Sequence, residues 1–212
     1  MRKINLKVTL TFLFFFNFIF LNLYSQINNS IVVKVGNLVV TSLDVQNEII
    51  TNLIISKQEI TQENVNKNKN YAVKNLVNKS IKKGEIDKYQ VNDYNKKDLQ
   101  NYLENIAKNL NTNRNGLKRI FDQNNIEYQT LVENHKIELS WNTLIFQIYQ
   151  NQTNINMVDV DNEVENFKKD KSKEEIEKIK KDILNKKKEE KLQLFSRSHF
   201  SNLENTVFIN FQ

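Results

Sequence analysis

The chain has 212 residues, 31 of them basic and 25 acidic, for a formal net charge of +6; it has no Cys, no Pro and three Gly. Without cysteine there is neither a disulfide framework nor thiolate chemistry. The three glycines, Gly36, Gly84 and Gly116, stand far apart, so no glycine-rich phosphate loop is present.

The chain opens with Arg2, Lys3 and Lys7, followed by the apolar, Phe-rich run Val8–Leu21, and no acidic residue occurs before Asp44. Positive charge followed by an apolar stretch is the pattern of an export signal. Cleavage could follow Leu23-Tyr24-Ser25, with the small Ser25 beside the scissile bond. A membrane-spanning helix needs about 20 apolar residues, and this stretch is slightly short and interrupted by Asn17 and Asn22. Residues 1–25 are therefore expected to be a signal peptide, with a retained membrane anchor as the alternative. Removing them takes three basic residues and no acidic one, leaving a charge of +3. That is too little for a nucleic-acid partner, and contact with a membrane is expected only through an uncleaved N-terminus.

The first structured element is expected at Ile31–Val35 and Leu38–Val40, two β-branched runs around Gly36-Asn37, which read as a tight hairpin. Thr41-Ser42-Leu43-Asp44 is a capping box that opens a helix with Val45, Ile49 and Leu53 on one face. A polar linker is expected from there to about Asn70. A second helix is predicted over 71–89, with Val73, Leu76, Val77 and Ile81 on one face and Gly84 weakening its last turn. A third starts after Val91 with Asn92 as its N-cap, and carries Leu99, Leu103, Ile106 and Leu110. A short fourth uses Leu117, Ile120 and Phe121 and ends at Asn125, a left-handed C-cap. A fifth runs over about 128–150 with Leu131, Leu139, Trp141, Leu144, Ile145 and Ile148. A short helix around Val158–Val164 and a long basic helix from Ser172 to about Leu203 follow. Thr206–Phe211 reads as a strand. An isolated hairpin is marginal in water, so this strand is expected to join the N-terminal hairpin in one small sheet. The fold class is mainly α: a helical domain whose two ends meet in that sheet.

This order resembles the N-terminal domain of SurA-type periplasmic chaperones together with their C-terminal helix. The resemblance is carried by the hairpin and capped helix, Gln90-Val91-Asn92-Asp93, Leu99-x-x-x-Leu103-x-x-Ile106-Ala107-Lys108-Asn109, Asn113–Asn125 with Ile126 and Tyr128, Lys136-x-Glu138-Leu139-x-Trp141-x-x-Leu144, the acidic Val158–Val164, and Val207-Phe208-Ile209. It covers most of residues 31–167 and 185–211. It implies a division into residues 1–25, a helical chaperone domain over 26–167, and a basic helix and strand over 168–212 that pack back on it. The chain departs from the family at His135, normally apolar, at Gly84, and in the polar segment 57–70. Members often carry parvulin-type prolyl isomerase domains between the acidic helix and the last helix. Here only Lys168-Lys169-Asp170-Lys171-Ser172 follows Phe167, where such a domain needs on the order of 100 residues.

Little else points to chemistry. His135 and His199 fall near apolar stripes and read as boundary residues that pack a ring and expose a nitrogen, ahead of a general base or metal ligand. Asp159, Asp161 and Glu163 alternate like calcium ligands, but the loop glycine and distal Glu are out of register; they suit a helix N-terminus. The Lys178–Lys188 run, interleaved with Glu, reads as a solvated helix face, ahead of a contact with anionic lipid or an acidic partner. No cofactor and no metal are expected. Trp141, Phe146 and Tyr149 do not share one stripe of the fifth helix. Either another helix covers them or they line an apolar groove for client segments, and these three are the candidate client-binding residues. The resemblance implies a periplasmic holdase-type chaperone without isomerase activity, whose partners are unfolded outer-membrane or secreted proteins. The alternative is a membrane-tethered scaffold that binds one folded partner.

Overall fold

A computed structural model describes residues 29–169 and 171–212. The segment 1–25, expected from the sequence to be an export signal, lies outside the described residues. Strands β1 (Ile31–Val35), β2 (Leu38–Thr41) and β3 (Ile209–Phe211) form an antiparallel sheet in the order β2-β1-β3. Between β2 and β3 run seven α-helices: α1 (Ser42–Ile55), α2 (Gln62–Lys88), α3 (Lys96–Asn109), α4 (Arg114–Gln123), α5 (Tyr128–Tyr149), α6 (Met157–Glu165) and α7 (Lys173–Thr206). The mainly helical class and the joining of β3 to the hairpin β1-β2 in one sheet are as the sequence suggests.

The hairpin turns at Gly36, whose φ of +56° suits a residue without a Cβ. Val33 pairs with Val40 on one side and with Phe211 on the other, and the Gly36 N–H donates to the Phe208 carbonyl at 2.9 Å. The capping box at Thr41 is complete. The Asp44 N–H donates to Thr41 Oγ1 and the Thr41 N–H donates to Asp44 Oδ2, so two otherwise orphaned donors are satisfied where α1 begins.

Three boundaries differ from the sequence expectations. The polar segment 57–70 is not a linker throughout, because α2 starts at Gln62. Thr61 caps it by accepting from the Asn64 N–H, Glu63 pairs with Lys67 one turn on, and Val65 packs against the sheet-side core. Its polar residues are a solvated helix face, which hydrophobic periodicity alone cannot tell from a loop. Helix α3 is capped by Asn95, not Asn92; the Asn95 side chain accepts from the Lys97 and Asp98 N–H groups. Strand β3 is only three residues, because α7 continues through Thr206 and the Val207 N–H still donates to the Leu203 carbonyl.

Helices α1 to α4 end in the same way. Lys57, Gln90, Asn111 and Asn125 take φ near +55°, and in each case the following residue's N–H reaches back to the carbonyl five residues earlier: Gln58 to Leu53, Val91 to Ile86, Thr112 to Ala107 and Ile126 to Phe121. These are Schellman motifs in which none of the left-handed residues is glycine. Val91 and Ile126 then pack on the helices they terminate.

The interior divides into apolar clusters that follow this path. Val33, Val35 and Val40 of the sheet meet Val45, Ile49 and Leu53 of α1 and Val77 and Ile81 of α2. Leu103, Leu117, Phe121 and Leu131 join α3, α4 and α5. Trp141, Leu144 and Ile145 of α5 join Ile86 of α2 and Leu192, Phe200 and Leu203 of α7. A satellite cluster of Val160, Val164 and Ile183 ties α6 to the first half of α7. Gly84 lies inside α2, and beyond the adjoining residues and backbone of its own helix nothing lies within 4 Å of the place a Cβ would take. Gly84→Ala should therefore stabilise the protein by about 1 kcal/mol, seen as a higher urea midpoint at unchanged slope.

Candidate functional site

The structure separates the three candidate aromatics. Trp141 is 2% exposed. Its indole N–H donates to Ser196 Oγ at 2.8 Å, and the rings of His199 and Phe200 meet it edge-on. The ring therefore offers no face to a partner in this conformation. Tyr149 lies half-buried, stacked on Phe195 at 4.8 Å between ring centres, with its hydroxyl 2.9 Å from His199 Nδ1. Phe146 alone is open, at 51% exposure. Residues 141 and 149 are brought together because α7 crosses their face of α5; Phe146 points elsewhere, as the helical spacing suggests.

His199 is the hinge of that contact. Its Nε2 lies 3.3 Å from Glu85 Oε1 on α2, and Glu85 also pairs with Lys88. One histidine of α7 thus touches α2 and α5 together, and both ring nitrogens have partners. Beside it, α5 and α7 form a groove of about 480 Å³ lined by Asn142, Ile145, Leu192, Ser196 and Arg197. Its lining mixes apolar and polar side chains.

A larger apolar groove, of about 720 Å³, lies where β1, α1 and the start of α2 meet. Ile31, Val32, Val45, Ile49, Ile50 and Ile60 line it, with Gln46, Asn66 and Lys69 among its polar residues. The sequence reading missed this groove. The signal was present in Ile60 and Val65, two apolar residues in a segment read as polar linker. Further apolar surface lies at the sheet: Phe208 and Phe211 are 70% and 64% exposed, and Val39 is also exposed.

Asp161 pairs with Lys180 and Glu163 with Lys187, so two acidic residues of α6 hold lysines of α7. Among the described residues no group of three or more His, Cys, Asp or Glu is placed to hold a metal ion. No helix among them is long and apolar enough to cross a membrane.

His135 stacks on Tyr102 with ring centres 3.4 Å apart and planes within 6°. Burial holds its pKa below the ordinary value of 6.5, against the opposing charges of Glu138 and Asp98. Below that ordinary value the unfolded chain takes up a proton before the folded protein does, so stability is lost as pH falls through this window. The thermal midpoint should fall from pH 7 toward pH 5. His135→Phe, which keeps a ring on Tyr102, should flatten that part of the profile, and an unchanged slope would rule out His135 as its source.

No protein-family model matches this chain, and no curated protein matches it. Among solved structures it is similar to a chain from Campylobacter jejuni, reported in work that describes the virulence factor PEB4 and the periplasmic protein Cj1289 as two structurally related SurA-like chaperones. The identity is 14%, the match covers 87% of this chain and 99% of that one, and the TM-score is 0.41.

Proposed function

We propose that this protein is a periplasmic holdase-type chaperone that binds unfolded outer-membrane or secreted proteins and has no prolyl isomerase activity. The apolar groove between β1, α1 and the start of α2 carries this reading. It is large enough for several side chains of an extended segment. Aliphatic walls accept apolar side chains without demanding a particular hydrogen-bond pattern, which suits a surface that must take many sequences. Phe146, Phe208 and Phe211 add exposed aromatic surface. The mechanism is transient burial of client apolar side chains, with no nucleotide. Support for the non-catalytic part comes from the short passage between Glu165 and Lys173, which joins α6 to α7 directly.

The purified protein lacking residues 1–25 should slow aggregation of an unfolded β-barrel protein at stoichiometric ratio. Ile60→Asp combined with Ile31→Asp, both exposed in the groove wall, should weaken that effect several-fold while leaving the helical circular dichroism spectrum intact. Failure to suppress aggregation of several different clients would sink the proposal. Measurable turnover in a proline-peptide isomerisation assay would overturn its non-catalytic part.

A further inference from the structure

The sheet ends on β3, and the two sides of that strand differ. The Gly36 N–H donates to the Phe208 carbonyl at 2.9 Å and the Gln212 N–H to the Val32 carbonyl at 3.0 Å, with Asn210 opposite Lys34 between them. In an antiparallel ladder the backbone groups that face a given neighbour alternate along the strand. Phe208, Asn210 and Gln212 therefore turn their backbone groups toward β1, and Ile209 and Phe211 turn theirs away. β3 is the last strand on that side. The N–H and C=O groups of Ile209 and Phe211 thus meet no further strand among the described residues.

Proteins blunt such edges with charge, proline, a bulge or a covering segment. The opposite edge, β2, is blunted: the Thr41 N–H is taken by Asp44 Oδ2, and the chain turns at once into α1. Residues 206–212 carry no charged side chain and no proline. Phe211 pairs with the fully buried Val33 and shares its core-side face, yet it is 64% exposed at the sheet's margin. Phe208, three residues earlier, falls on the other face and is also exposed.

We propose that the free edge of β3 takes an extended segment of a bound polypeptide as a fourth strand. Outward backbone donors and acceptors two residues apart match another extended backbone, so the occupant is a strand and not a helix or a small apolar molecule. Residues of that segment opposite Ile209 and Phe211 fall on the core-side face, with Cβ atoms about 5 Å away, and cover part of the Phe211 ring. Their sequence neighbours lie on the solvent face beside Asn210. The segment that fits is apolar at alternate positions, with β-branched or aromatic side chains there, and polar between them. Strands of a membrane β-barrel have that alternation. Gln212, next after β3, also lines the apolar groove, so the two surfaces adjoin. The inference rests on the chaperone reading only for the source of the polypeptide.

The test uses the purified folded protein and a peptide of about ten residues, valine or tyrosine alternating with threonine. Its control is the same peptide N-methylated at alternate amides, which keeps every side chain and removes the pairing donors. At saturation the first peptide should slow exchange of the Ile209 and Phe211 amides by about tenfold, and the methylated one should leave them unchanged. Phe211→Pro deletes an outward N–H that β1 does not use and should weaken binding about tenfold. Phe211→Ala keeps that N–H and should weaken it only about twofold. Continued protection of the Gly36 amide shows that β3 still pairs with β1 in each variant. Equal binding of the two peptides, or protection confined to the groove, would overturn the proposal whatever the variants do. Protection of Ile209 and Phe211 that rises with protein concentration, without peptide, would assign the edge to a second copy and overturn it as well. Aggregation assays are scored separately. Edge protection without suppression of client aggregation refutes the chaperone reading and leaves the edge assigned; suppression without edge protection does the reverse.

Discussion

Lys79→Met should destabilise the protein by about 3–5 kcal/mol, because it leaves the carboxylate of Glu48 buried without its cation. Glu48 is 2% exposed and sits where α1, α2 and α5 converge, and the Lys79 side chain is 14% exposed. In water such a pair contributes little. Here the two charges face each other at 2.8 Å with three amides completing the carboxylate's shell. The double variant Lys79→Met/Glu48→Gln should recover much of the loss, since a neutral amide needs no cation and still offers an oxygen to the asparagines. Urea unfolding of the two variants and the parent decides the matter. A loss under about 1 kcal/mol for Lys79→Met would show the pair to be effectively solvated.

The second large effect is expected at Trp141. Truncation to alanine should cost about 3–5 kcal/mol, the range for emptying a core site of a large aromatic ring. The site differs from Phe121 or Leu103 in what surrounds it. The indole is held by Ser196, His199 and Phe200, all on α7, and Lys82 lies 5.9 Å from its ring centre. The damage should therefore concentrate on the second half of α7. Amide exchange should rise over residues 196–211 more than over α3 and α4, and a uniform rise would show that Trp141 merely supports the whole core. Because Trp141 is the sole tryptophan, parent fluorescence reports whether α7 is docked. Ser196→Ala should shift that emission while lowering stability by about 1 kcal/mol.

Much of the architecture was readable because its determinants are local. Gly36 and Thr41 specify the hairpin turn and the first cap through backbone geometry that depends on a few neighbours. Asn125 ends α4 in the expected left-handed conformation for the same reason. The start of α2 was hidden because residues 62–70 have almost no apolar periodicity, and the helix there rests on Thr61 and on its long packed continuation. Asn92 and Asn95 are equally good caps by type, and only the position of Leu99 against the core chooses between them. The candidate site was the least legible. Helical spacing separated Phe146 from Trp141 and Tyr149 but could not say that α7 would cover the latter two. The buried ion pair of Glu48 and Lys79 was invisible too, since Glu48, Lys79 and Asn134 come from three helices and nothing in the sequence between them shows that they meet.

The sheet has a consequence for how the molecule comes into being. β1 gains one neighbour within a few residues, but its other neighbour, β3, lies beyond all seven helices. Closing so large a loop adds only modestly to the entropy cost, yet it fixes an order of events. While the chain emerges, the β1 edge that will meet Phe211 has no mate, and an unpaired strand edge invites pairing with other chains. Until residues 209–211 arrive, the nascent protein exposes the same hazard as the incomplete β-structures it is proposed to shelter. Its own last strand then takes the place a stray segment would otherwise occupy.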